Sequence, residues 1–410
     1  MRATPNWIFS IATALGAWWL AGGLCLGQSL SVGGVTFTYL RTGEYKPDAM
    51  QASIMLDMAF GKATIGNPQA WDSVGRTLRR PTGIDLVYTA YPDDTTRWFN
   101  PLTAQRLEAL FALDPTLHQA PVRWRLVAQT DGQTTEAAQR LFHGFVIYYQ
   151  VEEKALLAEL LKQRLEGGAP DPRLLRDLGM SQVRGIISGD KVLADSVVRA
   201  AFARRPQWRD LLVVADWTSS MYPYGADLLR WHETHLAQGA IKYLVLFNDG
   251  DAFARPVNPR AVGATGGLYA IAPKRLEDVI TLMDTVMLRG DGGDFPENDV
   301  EALRWGIRRF GAKCKGVVLI ADNESDVRDL ALLSDIKRPV HIILCSPERK
   351  PPHPHYLTIA WRTGGSVILL DDELNFLRPG QPISTDGVRV GGARYRLVEG
   401  AFRRIPRSGD

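Results

Sequence analysis

The chain has 410 residues, of which 45% are hydrophobic and 23% are charged. This is the composition of a folded globular protein, and it excludes a collagen-like, coiled-coil or wholly disordered chain. The 48 Lys and Arg nearly balance the 45 Asp and Glu, so the net charge of +3 predicts no general attraction to nucleic acid. Three cysteines without a CxxC pair exclude a disulfide scaffold and a cysteine-based zinc site.

The first 27 residues have the pattern of a secretory signal peptide. Arg2 precedes a stretch, 7–27, that has no charged residue and ends in small residues. We therefore expect cleavage before Gln28 and an exported protein that is periplasmic, cell-surface or secreted. Two alternatives stay open: a lipoprotein signal at Cys25, and an uncleaved anchor, because the stretch is about as long as a membrane span. Only the anchor would make a membrane the partner.

Residues 28–206 are predicted to form an N-terminal domain of mixed α and β structure. The prediction rests on β-branched and aromatic runs for the strands and on apolar periodicity for the helices. The predicted strands are 35–40, 86–90 and 124–130, and the predicted helices are 102–113, 135–150 and 154–166. Five leucines are expected to form one apolar face of the last helix. The domain contains no motif with a known mechanism.

Over 207–376 the pattern changes to apolar strands that alternate with helices. The expected strands are 211–215, 241–247, 268–272, 316–320, 340–344 and 366–370, and the expected helices are 224–237, 274–287, 299–310, 327–333 and 356–363. This alternation predicts an α/β, doubly wound and mostly parallel sheet that is buried on both faces. Residues 377–410 are expected to form a C-terminal extension with a β-hairpin around Gly391–Gly392. Cys314 and Cys345 would lie at opposite ends of neighbouring strands and are predicted to be free.

Oxygen-bearing side chains follow the strands of this sheet, where the functional loops of parallel sheets lie. Asp216, Thr218 and Ser220 follow the first strand in the segment DWTSS. Asp322 ends a later strand in LIADNES, and Asp294 lies in the glycine-rich segment GDGGDFPE directly before a helix. Carboxylates and hydroxyls together form an all-oxygen ligand set, which hard cations such as Mg²⁺ prefer. The residues therefore predict a cation site.

Taken in chain order, the segments DWTSS, GDGGDFPE and LIADNES resemble the von Willebrand factor type A domain over about residues 208–376. DWTSS is similar to the family's DxSxS motif, and LIADNES is similar to the strand that ends in its last metal-site Asp. The resemblance implies a metal-ion-dependent adhesion site in which Mg²⁺, or Mn²⁺ or Ca²⁺, binds an acidic group of another protein. The ligands that it implies are Asp216, Thr218, Ser220, Asp294 and Asp322. The sequence departs from the family at Asp294, where many animal members have Thr, so direct ligation and ligation through water both stay open.

Three further residues could line the rim of such a site. Asn248 and Asp249 follow the second strand, and Asp291 lies in the glycine-rich segment. Each also has a simpler interpretation, as a polar turn for the first two and as a solvated loop residue for Asp291. The same holds for Asp216, which could cap the next helix, because Asp is common at helix N-termini.

The usual catalytic motifs are absent from the sequence, so we do not predict an enzyme. The histidines His232 and His235 are spaced i, i+3 and do not match HExxH. The segment PHPH at 352–355 is interpreted as a turn in preference to a metal clip. Two alternatives to metal-dependent protein binding remain: a metal-dependent hydrolase with its chemistry in the N-terminal domain, and a structural scaffold with a vestigial site.

Overall fold

The computed structural model describes residues 29–71, 77–92, 96–168, 170–193, 195–235, 238–252, 261–290, 296–346 and 349–406. The expected signal peptide lies outside these residues, as do Asp291 and Asp294. Within them the chain is an α/β protein with mixed parallel and antiparallel sheets.

The first sheet is formed by residues of the expected N-terminal domain. Its strands are β1 (Ser29–Val32), β2 (Val35–Thr42), β3 (Ala52–Asp57), β4 (Arg79–Thr89), β5 (Arg123–Gln129) and β6 (Gly144–Val151), in the order β1-β2-β5-β4-β6-β3. The central strands β2, β5 and β4 are parallel, and the other pairs are antiparallel. Three helices accompany this sheet: α1 (Thr96–Leu113), α2 (Thr135–Arg140) and α3 (Glu153–Leu165). Leu107 and Leu110 of α1 pack in its core.

Two predictions for this region are wrong in part. The helix expected at 135–150 ends at Arg140, and its second half is strand β6. The Phe, Val, Ile and Tyr side chains of that segment pack well on a pleated, buried surface, and this packing outweighs the helical periodicity. On α3, Leu156 and Leu160 are buried, whereas the other three leucines of the expected apolar face are exposed.

The second sheet contains five parallel strands between two antiparallel edge strands. Its strands are β7 (Leu211–Asp216), β8 (Ile241–Phe247), β9 (Leu268–Ile271), β10 (Gly316–Asp322), β11 (Val340–Cys345), β12 (Ser366–Ile368) and β13 (Glu373–Asn375), in the order β13-β12-β11-β10-β7-β8-β9. Strands β9 and β13 are antiparallel to their neighbours. The carboxyl ends of the five central strands therefore meet at one edge, with β7 between β10 and β8.

Helices cover both faces of this sheet. They are α4 (Pro172–Ser188), α5 (Val197–Ala203), α6 (Tyr222–His235), α7 (Leu276–Met287), α8 (Asp299–Phe310) and α9 (Pro354–Thr363). Because side chains alternate along a strand, Leu211 and Val213 of β7 pack with helices α4 to α7, and Leu212 packs with α8 and α9 on the opposite face.

The boundary expected at residue 206 runs between elements that share a core. Met180 and Val183 of α4 and Phe202 of α5 pack in the same cluster as the β7 side chains. Helix α4 also contacts the first sheet, because the buried carboxylate of Asp177 lies 2.8 Å from Arg79 Nε. Helices α4 and α5 therefore complete the second sheet's core, although they precede the expected boundary.

The prediction of an α-helix at 327–333 is also wrong. The structure has a 3₁₀ helix at Leu330–Asp335. The main chain just before it forms hydrogen bonds with another segment of the chain. The Arg328 N–H donates to the Glu297 carbonyl, and the Glu297 N–H donates to the Asp326 carbonyl. The Asp326 carbonyl, which the first turn of an α-helix at 327–333 would use as an acceptor, is therefore already occupied.

The C-terminal residues form a small antiparallel sheet of β14 (Val388–Val390), β15 (Ala393–Val398) and β16 (Ala401–Ile405). Gly391 and Gly392, with φ values of 58° and 71°, make the expected hairpin turn between β14 and β15. Cys314 and Cys345 are free and buried, as predicted. Among the described residues, no helix is both long and apolar enough to cross a membrane.

Candidate metal centre

Asp216 is the last residue of β7 and lies at the carboxyl edge of the parallel sheet. Its side chain is only 2% exposed. The Thr218 main-chain N–H donates to Oδ1 at 2.8 Å, whereas Oδ2 has no hydrogen-bond partner among the described residues. An ionised carboxylate oxygen that is buried without a donor is costly. A cation bound at Oδ2 would remove that cost.

The hydroxyls that follow Asp216 lie at the surface above it. Ser220 is exposed, and its Oγ donates to Asp322 Oδ2 at 2.6 Å. The Thr218 and Ser220 hydroxyl oxygens are 3.4 Å apart. Because the Ser220 hydrogen points at Asp322, the lone pairs of Ser220 Oγ are available to a cation. A chain of contacts thus links Asp216 to Thr218, Thr218 to Ser220 and Ser220 to Asp322 at this edge of the sheet.

Two further buried carboxylates adjoin Asp216. Asp249 and Glu297 each place an oxygen within 4.8 Å of an Asp216 oxygen and of each other. Asp249 follows β8 with a left-handed φ of 54° and accepts the Asn298 N–H at 2.8 Å. Oε2 of Glu297 has no hydrogen-bond partner among the described residues. Asp249 therefore belongs to this group of acids. The polar turn that the sequence also allows describes only its main-chain conformation.

Asp299, the first residue of α8, extends this group of buried acids. Its Oδ2 lies 3.1 Å from the Tyr356 hydroxyl, which lies 2.7 Å from the main-chain oxygen of Asp322. The tyrosine has one hydroxyl hydrogen for these two acceptors, so a proton on Asp299 would satisfy both contacts. Tyr356 thereby joins α9 to the end of β10.

Burial and mutual repulsion govern the electrostatics of the acids in the centre. Burial raises the pKa of Asp216 well above its usual range, and the nearby charge of Asp249 raises it further. Burial and the same neighbour raise the pKa of Glu297. Burial also raises the pKa of Asp322, which the Ser220 hydrogen bond partly offsets. A divalent cation would reverse these shifts, because a positive charge favours the ionised forms.

Asn248 holds the neighbouring loops together through its side-chain amide nitrogen, which is therefore already engaged as a donor. Its Nδ2 donates to Asp251 Oδ1 at 2.9 Å and to the Gly290 carbonyl at 3.0 Å. Gly290 has a φ of 126°, and a Cβ there would lie 2.3 Å from the Ala252 carbonyl oxygen. Only glycine permits this close approach of the two loops. Asn248 thus anchors these loops through its amide nitrogen, while its Oδ1 is buried without a hydrogen-bond partner among the described residues.

Two of the residues in the centre were missed in the sequence. Glu297 and Asp299 are not among the ligands that the sequence predicts, and Asp299 is there only the first residue of the expected helix 299–310. The segment FPENDVEAL does place three acids at a helix N-terminus, which is the usual position for solvated acids. These acids are buried where β7 pairs with β8 and where the Glu297 main chain forms hydrogen bonds with residues 326 and 328. A local sequence pattern shows neither of these contacts.

The donor set fits a hard divalent cation. It combines carboxylate and hydroxyl oxygens at one edge of the sheet, and Asp216 and Glu297 each have one buried oxygen without a partner in the described part of the chain. Hard cations such as Mg²⁺, Mn²⁺ and Ca²⁺ take such oxygen ligands. Comparison with known proteins gave no match, whether to a family model, to a curated protein or to a solved structure.

Proposed function

We propose that this is an exported protein whose von Willebrand factor A-like domain binds Mg²⁺, and through the metal binds another protein. Mn²⁺ or Ca²⁺ could occupy the same site. The proposed ligands are Asp216, Thr218 and Ser220 from the first loop and Asp322 from β10. Asp294, which lies outside the described residues, is proposed as a further direct or water-mediated ligand. The uncharged stretch 7–27 supports the proposal of export.

One observation carries the proposal of a metal: Asp216 Oδ2 is buried without a hydrogen-bond partner among the described residues, and Asp249 and Glu297 each place a carboxylate oxygen within 4.8 Å of an Asp216 oxygen. The parallel strands β7, β8 and β10 and the helices on both faces support the doubly wound arrangement of the family. The alternative of hydrolase chemistry in the N-terminal domain finds less support. Among the described residues, both groups of three metal-ligating side chains lie in the second half of the chain.

Protein binding is proposed because the hydroxyl side of the centre faces solvent. Ser219 and Ser220 are exposed, whereas Asp216 and Asp322 lie beneath them. A bound Mg²⁺ would keep part of its coordination shell as water, which an oxygen of a partner protein can replace. With Mg²⁺ bound, ionised Asp216, Asp322 and Asp294 would outweigh its double charge, so a neutral partner oxygen is favoured over a further carboxylate.

Calorimetric titration of Mg²⁺ into the metal-free protein tests metal binding. Wild type should bind one Mg²⁺ at this centre, and Asp216→Asn should abolish that binding. Asp210→Asn is the matched control, because Asp210 directly precedes β7 at the opposite end of the strand and pairs with Lys315. Equal Mg²⁺ binding by wild type and Asp216→Asn would refute the site.

Affinity capture from the cell envelope tests partner binding. Immobilised wild type should retain a specific protein in Mg²⁺ and release it with a chelator. Asp216→Asn should not retain that protein, whereas Asp210→Asn should. Retention that is the same with chelator, or the same on Asp216→Asn, would show that the metal does not mediate the contact.

A further inference from the structure

Two histidines and an aspartate lie together at the start of α9, outside the centre described above. His353 Nε2 is 3.1 Å from Asp326 Oδ1, and His355 Nδ1 is 3.9 Å from the same oxygen. Each of the three residues offers a ligand atom within 4.8 Å of the other two. The sequence predicts only a turn for the two histidines, and the structure adds Asp326 from the loop that follows β10.

The main chain around these side chains is held in place. Asn323 Oδ1 accepts the His353 N–H at 2.8 Å. The amide nitrogen of Asn323 donates to the carbonyls of Lys350 and Pro351 at 3.2 and 3.1 Å. Pro352 and Pro354 flank His353 and restrict its backbone further. The three side chains therefore project from a fixed framework, as a metal site requires.

The distances suit a small tetrahedral ion. Zn²⁺ binds histidine nitrogen and carboxylate oxygen at about 2.0–2.2 Å, so two ligands of a tetrahedral centre are about 3.3–3.5 Å apart. The observed separations of 3.1 and 3.9 Å lie on either side of this range, so small side-chain movements reach it. The Asp326 side chain is 70% exposed, which leaves the ion a path from solvent.

We propose that Asp326, His353 and His355 form a Zn²⁺ site with three protein ligands and an open fourth position. Two imidazole nitrogens select Zn²⁺ and similar ions over Mg²⁺, which prefers oxygen. This site thus differs in chemistry from the oxygen-lined centre at Asp216. It rests on its own contacts and does not depend on the proposed function.

Binding requires that both histidines are neutral and that two weak hydrogen bonds open. His355 Nδ1 accepts the Val327 N–H at 3.2 Å, and His353 Nδ1 accepts the His355 N–H at 3.4 Å. Zn²⁺ would replace the first bond and would move the His353 proton from Nε2 to Nδ1. Burial, and then the neighbouring His355, lowers the pKa of His353, whereas the charge of Asp326 raises it.

Zinc titration of the full chain in the Asp216→Asn background, with excess Mg²⁺ present, tests the site. We expect one Zn²⁺ per chain, and an affinity that falls at least tenfold in His353→Ala and in Asp326→Asn. His118→Ala, which removes an exposed histidine from the first half of the chain, should bind Zn²⁺ as before. Co²⁺ in place of Zn²⁺ should give the visible absorption of a low-coordinate centre. His355→Ala should weaken this absorption.

His353 caps α9, so its replacement could disturb the fold. Asp326→Asn decides in that case, since its side chain is largely exposed. The proposal would be overturned if the Asp216→Asn chain bound no Zn²⁺, or if Asp326→Asn bound Zn²⁺ with unchanged affinity.

Discussion

Ser220 donates its hydroxyl hydrogen to Asp322 Oδ2 across 2.6 Å, although the two residues are 102 positions apart in the chain. They follow β7 and β10, which are adjacent and parallel, so both strands deliver polar side chains to the same edge. The bond links the two loops of the candidate metal centre before any ion binds. It also fixes which lone pairs Ser220 presents.

Ser220→Ala should raise the Kd for Mg²⁺ about tenfold, which corresponds to about 1.4 kcal/mol. The change removes one proposed ligand and also leaves Asp322 Oδ2 without its donor. Calorimetry would measure the effect. Ser219→Ala alters the adjacent exposed serine and should leave the Kd unchanged; an equal effect of both changes would contradict the role given to Ser220.

Asp216→Asn should change the pH dependence of stability in the metal-free protein. A carboxyl whose folded-state pKa is raised stabilises the fold below its unfolded pKa of about 4, and this stability is lost as the pH rises through the folded pKa. Asp216→Asn has no carboxyl to titrate, so it avoids this loss in the free energy of unfolding. The loss is about 1.4 kcal/mol for each pKa unit by which folding raises the Asp216 pKa. Urea unfolding in chelator should show similar stabilities near pH 4 and a more stable variant at pH 8.

Saturating Mg²⁺ should reverse this order at pH 8, because the ion stabilises only the wild-type centre. A variant that is less stable than wild type in chelator at pH 8 would contradict the account of Asp216 as an uncompensated charge.

Gly225→Ala should destabilise the protein by about 1–3 kcal/mol, although alanine is the better helix former. A Cβ at Gly225 on α6 would lie 2.2 Å from the ring of Trp217, which is fully buried and directly follows Asp216. Thermal or urea unfolding would measure the loss. Gly185→Ala on α4 is the control, because the three atoms nearest to its Cβ all belong to the Lys191 side chain, which can move. Equal stability of both variants would contradict the packing of Trp217.

Truncation tests the place of α4 and α5. A chain of residues 207–406 lacks Met180, Val183 and Phe202, which pack against the β7 side of the second sheet. We expect it to aggregate or to lack fixed tertiary structure, whereas 170–406 should unfold cooperatively. Near-ultraviolet circular dichroism and thermal melting distinguish the two. A folded 207–406 would restore the boundary expected from the sequence.

Much of the second sheet could be predicted because its strands are short, continuous apolar runs. Residues 211–215, 241–247 and 340–344 lie within β7, β8 and β11. The first sheet was harder, since strand β6 follows a true helical turn and its residues suit either structure over a short window. Its identity depends on pairing with β3 and β4, which is information from distant parts of the chain.

The candidate centre shows the same division. Asp216 and Asp322 are visible in the sequence because each ends an apolar run, and Thr218 and Ser220 are visible because they follow Asp216 closely in DWTSS. Glu297 and Asp299 are not, because an acid at a helix N-terminus has the same local pattern whether it is solvated or buried. Contacts from distant parts of the chain surround them in the structure: Asp249 accepts the Asn298 N–H, and the Tyr356 hydroxyl lies 3.1 Å from Asp299 Oδ2.

Anomalous diffraction from crystals of the full chain grown with Mn²⁺ tests the central claim most directly. The account predicts a strong manganese peak beside the Asp216 carboxylate and the Ser220 hydroxyl, with Asp322 behind them, and no such peak in Asp216→Asn crystals. An ordered wild-type centre without a manganese peak, with the Asp216 side chain paired to a protein donor instead, would contradict it.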